Sequence, residues 1–362
     1  MSKKKVLVAD ESTFMRKIVS ETLNTHPELE VISLARTGKE VLTKVKFMFP
    51  DIIVMDLDLP TVSSLEVIDQ IMKTNPIPII VLTSPTKKAQ KDTLQSIKRG
   101  AVDFIAKPSG PISLNLQEFQ TLLLQKVLQF SQGQNKEFAL KGRKKIKTEV
   151  KSSILNEKES RKSKNISKMS ETFVIIGTST GGPRALQEVL TRLPKDFPAP
   201  VLIVQHMPRG FTKSLAERLD KQCQIQVKEA NHGEKIEKGI AYIAPGGQHL
   251  KFRKQGKHYY IQLDRTEAPR KAHRPSVDVL FETCVKHPEL QYITVIMTGM
   301  GSDGCEGMQL LRQQVPNVIT IAESMNTAVI YGMPKAIIER ELVDHIVDLS
   351  NIASTLEQLL KF

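Results

Sequence analysis

The chain has 362 residues, a formal net charge of +13, and 40% hydrophobic against 25% charged residues. That length suits two domains of ordinary size, and the composition is that of a globular chain rather than a disordered or fibrous one. No apolar run reaches the ~18 residues of a membrane span, the opening "MSKKKVLVAD" turns acidic too soon for a signal peptide, and Cys223, Cys284 and Cys305 form no CxxC pair. A cytoplasmic protein is expected, with neither a disulfide framework nor a thiolate metal site.

From residue 5 to 130, short apolar runs alternate with amphipathic stretches. The runs predict strands over Lys5–Ala9, Val31–Ala35, Ile52–Met55, Ile77–Leu82 and Phe104–Ala106. The stretches predict helices near 13–24, 38–48, 64–74, 88–99 and 115–129. Strand and helix in strict alternation imply a parallel sheet covered on both faces, with functional groups at the carboxyl ends of the strands. Those ends carry Asp10-Glu11, Asp56, Thr83-Ser84 and Lys107-Pro108. Converging carboxylates repel unless a cation joins them, and hard oxygen ligands suit Mg²⁺. A lysine and a hydroxyl on the same rim are placed to hold a phosphoryl group on Asp56.

The segments "VLVADES", "DIIVMDLDLP", "VLTS" and "GAVDFIAKP" resemble the signature of two-component receiver domains over residues 4–130. The resemblance implies a five-stranded parallel (βα)5 flavodoxin-like receiver domain over 1–130. It implies Asp56 as phospho-acceptor, Mg²⁺ held by Asp10, Glu11 and Asp56, phosphate contacts from Thr83 and Lys107, and Phe104 as the aromatic switch. Two positions depart from the pattern. Glu11 stands where the family often has Asp, and "PTVSSLEV" lacks the usual Asp-Gly, so the Ser63–Ser64 turn is expected to manage without glycine's freedom in φ.

Residues 131–170 hold twelve Lys and Arg against four Asp and Glu, few large apolar residues and no sustained period. The segment reads as a basic flexible linker. With one aromatic, Phe138, and no recognition-helix signature, it gives no sign of sequence-specific nucleic-acid binding.

Beyond it, strands are predicted over Phe173–Gly177, Val201–Gln205, Tyr292–Thr298 and Val318–Ala322, and helices near 183–192, 212–221, 276–286 and 304–313. This is again a doubly wound, mostly parallel α/β sheet, and "AYIAPGGQHLKFRKQGKHYYIQL" reads as hairpins added beside it. The stretch "GTSTGG" turns the first of these strands into a helix, which suits either a phosphate cradle or an exposed nucleophile. The glycine spacing is not that of a dinucleotide fold, the next strand ends in Gln205-His206 instead of an acid, and no Gly-Lys-Ser/Thr occurs. The nucleophile reading needs a base and an orienting acid. His206 ends the second strand and Asp303 sits in the glycine-rich turn of "YITVIMTGMGSDG", so Ser179, His206 and Asp303 all lie at strand carboxyl ends. His345 precedes a short terminal strand and makes the poorer base. His273, in "KAHRPS", reads as a structural or rim residue before a helix capped at Pro275-Ser276.

The motifs "IGTSTGGP", "VQHMP", "YIAPGGQHL", "HRPSVDVLF", "TGMGSDG" and "YGMPKAI" resemble the catalytic domain of CheB-type chemotaxis protein-glutamate methylesterases over residues 171–362. The resemblance implies Ser179 as nucleophile, His206 as base and then acid, Asp303 as its orienting carboxylate, and the Met300 N–H as an oxyanion donor, with no cofactor for the esterase. It names γ-methyl esters of glutamate on chemoreceptors as substrate, deamidation of receptor glutamines as a second activity, and a chemotaxis histidine kinase as phosphodonor. In the family, the unphosphorylated receiver packs over the cleft and phosphorylation frees it. Two other readings stay open at this level: a response regulator with a nucleic-acid-binding output, and an adaptor that kept the fold without the chemistry.

Overall fold

The computed structural model describes residues 3–108, 112–131 and 171–360, and the chain divides into two compact units. The basic segment expected over 131–170 lies outside the described residues, save for Ser131.

The first unit is built on β1 (Lys4–Ala9), β2 (Leu29–Ala35), β3 (Ile52–Asp56), β4 (Ile79–Thr83) and β5 (Asp103–Ala106). They form one sheet in the order β2-β1-β3-β4-β5, with every pairing parallel. Helices α1 (Thr13–Asn24), α2 (Gly38–Met48), α3 (Ser64–Thr74), α4 (Lys87–Arg99) and α5 (Ile112–Ser131) alternate with the strands. Both β3 and β4 are buried along their whole length, as strands covered on two faces must be. Each of the first four helices starts on a hydroxyl: Ser12, Thr37, Ser63 and Thr86 accept from the amides of Met15, Glu40, Glu66 and Ala89. These bonds satisfy donors that a helix start leaves orphaned.

The turn after β3 manages without glycine at Ser63–Ser64. Ser63 has an ordinary φ of −62° as the N-cap of α3, and the left-handed residue is Thr61, at φ +72°. Ser64 closes the loop by donating its hydroxyl to the Asp56 carbonyl at 2.7 Å. The missing glycine is thus replaced by a serine hydrogen bond, and the strain moves two residues upstream.

The second unit has a seven-stranded sheet in the order β14-β13-β12-β6-β7-β9-β8, again with every pairing parallel. Its strands are β6 (Thr172–Thr178), β7 (Val201–Gln205), β8 (Gln226–Glu229), β9 (Ile240–Ile243), β12 (Gln291–Ile296), β13 (Val318–Glu323) and β14 (His345–Val347). The helices are α6 (Gly182–Leu190), α7 (Phe211–Asp220), α8 (Val277–Val285), α9 (Cys305–Gln314), α10 (Met333–Glu339) and α11 (Ile352–Leu360).

The stretch expected as hairpins is half hairpin. "AYI" belongs to β9, a buried parallel strand between β7 and β8, while β10 (His249–Gln255) and β11 (His258–Asp264) pair antiparallel in a separate ribbon. Phe252 and Tyr259 attach that ribbon to the sheet, packing on Phe173 of β6 with ring centroids at 5.5 and 5.4 Å. Burial of three aromatics in one cluster supplies the apolar area that an isolated two-stranded ribbon lacks.

Chain order decides where a cleft forms. From β6 the chain passes to β7 on one side of the sheet and later to β12 on the other, so β6 is the switch point of the winding, where ligand crevices open at strand carboxyl ends. In the first unit β1 plays the same part, between β2 and β3.

A β-branched residue at positive φ costs roughly 1–2 kcal/mol. Thr61→Gly should therefore raise the stability of the first unit by about 1 kcal/mol after glycine's own entropy cost, read as a higher urea midpoint. Ser63→Gly should give no gain.

Candidate functional site

Ser179, His206 and Asp303 follow β6, β7 and β12, three neighbouring strands. Register brings the first two together: Thr178 pairs with Gln205, and the His206 amide donates to the Thr178 carbonyl at 3.2 Å. Gln205 then clamps the turn, its Nε2 donating to the Ser179 carbonyl at 2.8 Å. The clamp needs glycine behind it, because a Cβ on Gly182 would lie 1.9 Å from Gln205 Oε1. Gly181, at φ +80°, turns the chain into α6, whose N-terminal amides and positive dipole end face the serine turn.

The imidazole and the acid are joined directly. His206 Nε2 lies 2.7 Å from Asp303 Oδ2, with both side chains almost wholly buried. Asp303 also accepts from the Ser276 hydroxyl (2.7 Å) and from the amides of Val277 (2.7 Å) and Asp278 (3.2 Å) at the start of α8. Burial pushes its carboxyl up, but the His206 contact and these donors outweigh that and hold it well below the usual carboxylate range. Ser276 was expected as a helix cap; its backbone holds the N-cap place, and its hydroxyl serves Asp303 instead.

With Nε2 engaged, Nδ1 is the remaining ring nitrogen. It is buried and has no hydrogen-bond partner among the described residues, so no bond joins it to the Ser179 hydroxyl. The His273 ring stacks on that of His206, centroids 3.8 Å apart and 8° from parallel. Met300 is half-buried in the loop after β12, next to Gly299, where an added Cβ would fall 2.9 Å from the Ser179 Cβ. The Met300 amide has no acceptor among the described residues. His345 begins β14 on the far side of β12 and β13 and takes no part.

In the first unit Lys107 Nζ lies 2.7 Å from both Asp10 Oδ2 and Asp56 Oδ2. Burial raises the Asp10 carboxyl against the pull of Lys107. It also pushes the Lys107 ammonium down, but the two carboxylates outweigh it and the net shift is upward. Asp56 Oδ1 is buried without a partner. Thr83 is fully buried at the same edge, its hydroxyl accepting from Thr93 at 2.8 Å. Asp10 and Asp56 thus meet at Lys107, whereas Glu11 is exposed. Among the described residues no three His, Cys, Asp or Glu side chains are grouped as a ready metal-ligand set. Phe104 is buried, with Lys126 Nζ 5.9 Å from its ring and paired to Asp103 at 2.6 Å.

Two family models match the chain: CheB methylesterase over residues 174–356 and response regulator receiver domain over residues 6–117. A protein-glutamate methylesterase/protein-glutamine glutaminase of Halalkalibacterium halodurans is 46% identical, with 98% of each chain covered. The like-named protein of Bacillus subtilis is 39% identical over 99% of this chain and 98% of its own. Among solved structures, the CheB methylesterase catalytic domain of Thermotoga maritima is 41% identical and covers 52% of this chain and 99% of its own, with a TM-score of 0.50. The chain belongs to the CheB methylesterase family.

It is thus a methylesterase-family enzyme carrying a receiver domain. No helix among its described residues is long and apolar enough to cross a membrane. Within the methylesterase half, two supports of the serine turn escaped the sequence reading. The Thr298 carbonyl accepts from the Ser179 amide (3.0 Å) and the Thr178 hydroxyl (2.8 Å). The Thr298 amide donates in turn to Glu323 Oε2 at 2.8 Å. Both are polar residues closing an apolar run, the same signal that marks His206.

Burial pushes the Glu323 carboxyl up to about 7, against the bonds from Thr298 and Thr327 and with the Asp348 carboxylate adding to the rise. A folded-state value above the unfolded one makes the contribution to stability complete below pH 4.5 and lost as pH rises through about 7. Glu323→Gln should flatten this decline, so that its stability relative to the parent is higher at pH 8 than at pH 5 by on the order of 3 kcal/mol. Urea midpoints at the two pH values check it.

Proposed function

We propose that the chain is a phosphorylation-regulated protein-glutamate methylesterase that hydrolyses glutamate γ-methyl esters on chemoreceptors. The reading divides the chain into a receiver domain (1–130), a basic linker (131–170) and a catalytic domain (171–362). The observation that carries it is the buried His206–Asp303 pair, which leaves the second ring nitrogen unengaged at the end of the strand next to that of Ser179.

Asp303 fixes the tautomer with the proton on Nε2, which leaves Nδ1 as the base. Nδ1 takes the Ser179 proton as Oγ attacks the ester carbonyl. The Met300 amide and the N-terminal end of α6 stabilise the oxyanion. The imidazolium returns the proton to the leaving methoxide, and methanol departs. Water then attacks the acyl-enzyme with Nδ1 as base, freeing glutamate and regenerating the serine. With a primary amide in place of the ester, the same steps release ammonia and deamidate receptor glutamines. No step calls on a cofactor.

In the receiver, Asp56 is the phospho-acceptor, with Oδ1 unpartnered and Lys107 already beside Oδ2. Lys107 and the Thr83 hydroxyl contact the transferred phosphoryl group. Mg²⁺, a hard cation that takes oxygen ligands, would be held by Asp10, Glu11 and Asp56. When bound, the ion neutralises charge on the phosphoryl oxygens. The phosphodonor is a chemotaxis histidine kinase, and phosphorylation relieves inhibition of the esterase. The enzyme works in the cytoplasm on methylated receptors, is not embedded in the membrane, and binds no nucleic acid.

Methanol release from a methylated receptor, with and without acetyl phosphate, tests both halves. Ser179→Ala should lower release by at least ~10³-fold; near-normal release would sink the esterase mechanism. Acetyl phosphate should accelerate the parent and leave Asp56→Asn at its basal rate. Equal rates with and without the donor in the parent would overturn the regulation.

A further inference from the structure

We infer that His273 is a positioning residue for the proposed esterase. Its ring, stacked on His206, holds the imidazole so that Nε2 stays on Asp303 and Nδ1 stays available to the serine. The inference rests on the esterase reading above.

A ring tethered at one nitrogen can still tilt and swing about that bond. A parallel neighbour at 3.8 Å and 8° blocks both movements over one whole face. His273 is itself held by a two-residue turn. The Arg270 amide donates to the His273 carbonyl at 3.0 Å, and the His273 amide returns the bond at 2.8 Å. Between them Lys271 and Ala272 sit at φ +49° and +66°. Two positive φ values in succession belong to tight hairpin turns that favour Asn and Gly, and here neither residue is of that kind. Such strain persists only where the surroundings over-determine it.

The surroundings do so through α8. Arg270 makes a bidentate contact with Glu282 at 2.9 and 3.1 Å, and Lys271 Nζ reaches Asp278 at 3.1 Å and Glu306 at 3.0 Å. Asp278 and Glu282 are α8 residues, and the amides of Val277 and Asp278 bind Asp303. One helix therefore fixes both neighbours of His206. Its backbone start holds the acid at Nε2, and its side chains hold the turn that lays His273 on the ring. A strained turn kept in register with the catalytic acid, with a flat aromatic at its exit, is more than a rim feature needs.

The test compares His273→Ala with His273→Phe in the full chain, following methanol release from methylated receptor in membrane vesicles. Loss of the flat ring should lower kcat by ~10–100-fold, as small misplacements of a catalytic group do, while KM moves less than ~2-fold. Phe keeps the stack and should restore kcat to within about threefold of the parent. A parental kcat in the Ala variant, or a Phe variant no better than Ala, would overturn the inference. If the Ala variant fails to fold, His273→Leu takes its place, being apolar without a flat ring. Ser179→Ala and His206→Ala run alongside: activity retained in these sinks the esterase reading, whereas their loss beside an unimpaired His273→Ala variant sinks only the positioning role.

Discussion

The Asp303 carboxylate is the constraint on which the rest of the catalytic half depends. A buried ionised carboxylate is costly unless its lone pairs are met. Here four donors meet it: the His206 ring, the Ser276 hydroxyl and the first two amides of α8. The amides come from a helix N-terminus, where the backbone already carries partial positive charge. Asp303 reaches that spot because Gly304 follows it at φ +93°, where a Cβ would lie 2.8 Å from Val277 Cγ1. Removing any one donor leaves charge uncompensated, so α8, the glycine turn and the end of β7 are coupled through a single side chain.

Both units obey the same geometric rule and use it for different chemistry. In each, a parallel sheet reverses its winding beside a central strand, and polar residues closing the apolar strands gather at that crevice. In the receiver, two carboxylates share one lysine, so the cluster keeps a net negative charge and an unpartnered oxygen on Asp56. That arrangement suits attack on an electrophilic phosphoryl group. In the methylesterase half one carboxylate is met by four donors, and the far nitrogen of the His206 imidazole is left without a partner among the described residues.

The fold was legible in the sequence because two-sided burial leaves unbroken apolar runs such as "IIVMD" and "IIVLT", each ended by a polar residue that marks the crevice. The same signal puts forward Asp56 and His206 as candidates, while glycine-rich turns put forward Ser179 and Asp303, and Lys107 is put forward by its place after the fifth strand. It failed where burial is partial or the decision lies off the strand. β8 alternates, and its exposed and half-buried positions carry no run. β9 reads as a hairpin arm because four residues beside a true hairpin do not declare their partner. The positive φ of Thr61 has no signature in the sequence, since a serine hydroxyl here closes a loop that glycine usually opens. The His273 stack crosses 67 residues of chain and has no local signature at all.

The unpartnered Nδ1 of His206 has an energetic consequence. A buried acceptor without a donor costs roughly 1–3 kcal/mol, and nothing among the described residues relieves it. Rotation of the ring toward another donor is opposed at one edge by Asp303 and across one face by His273. On the proposed mechanism the cost is recovered when the Ser179 hydroxyl donates to Nδ1, so the free enzyme is biased toward the arrangement from which proton transfer starts. A satisfied Nδ1 would stabilise the resting fold and tax every turnover, because that bond would have to break before the serine could be activated.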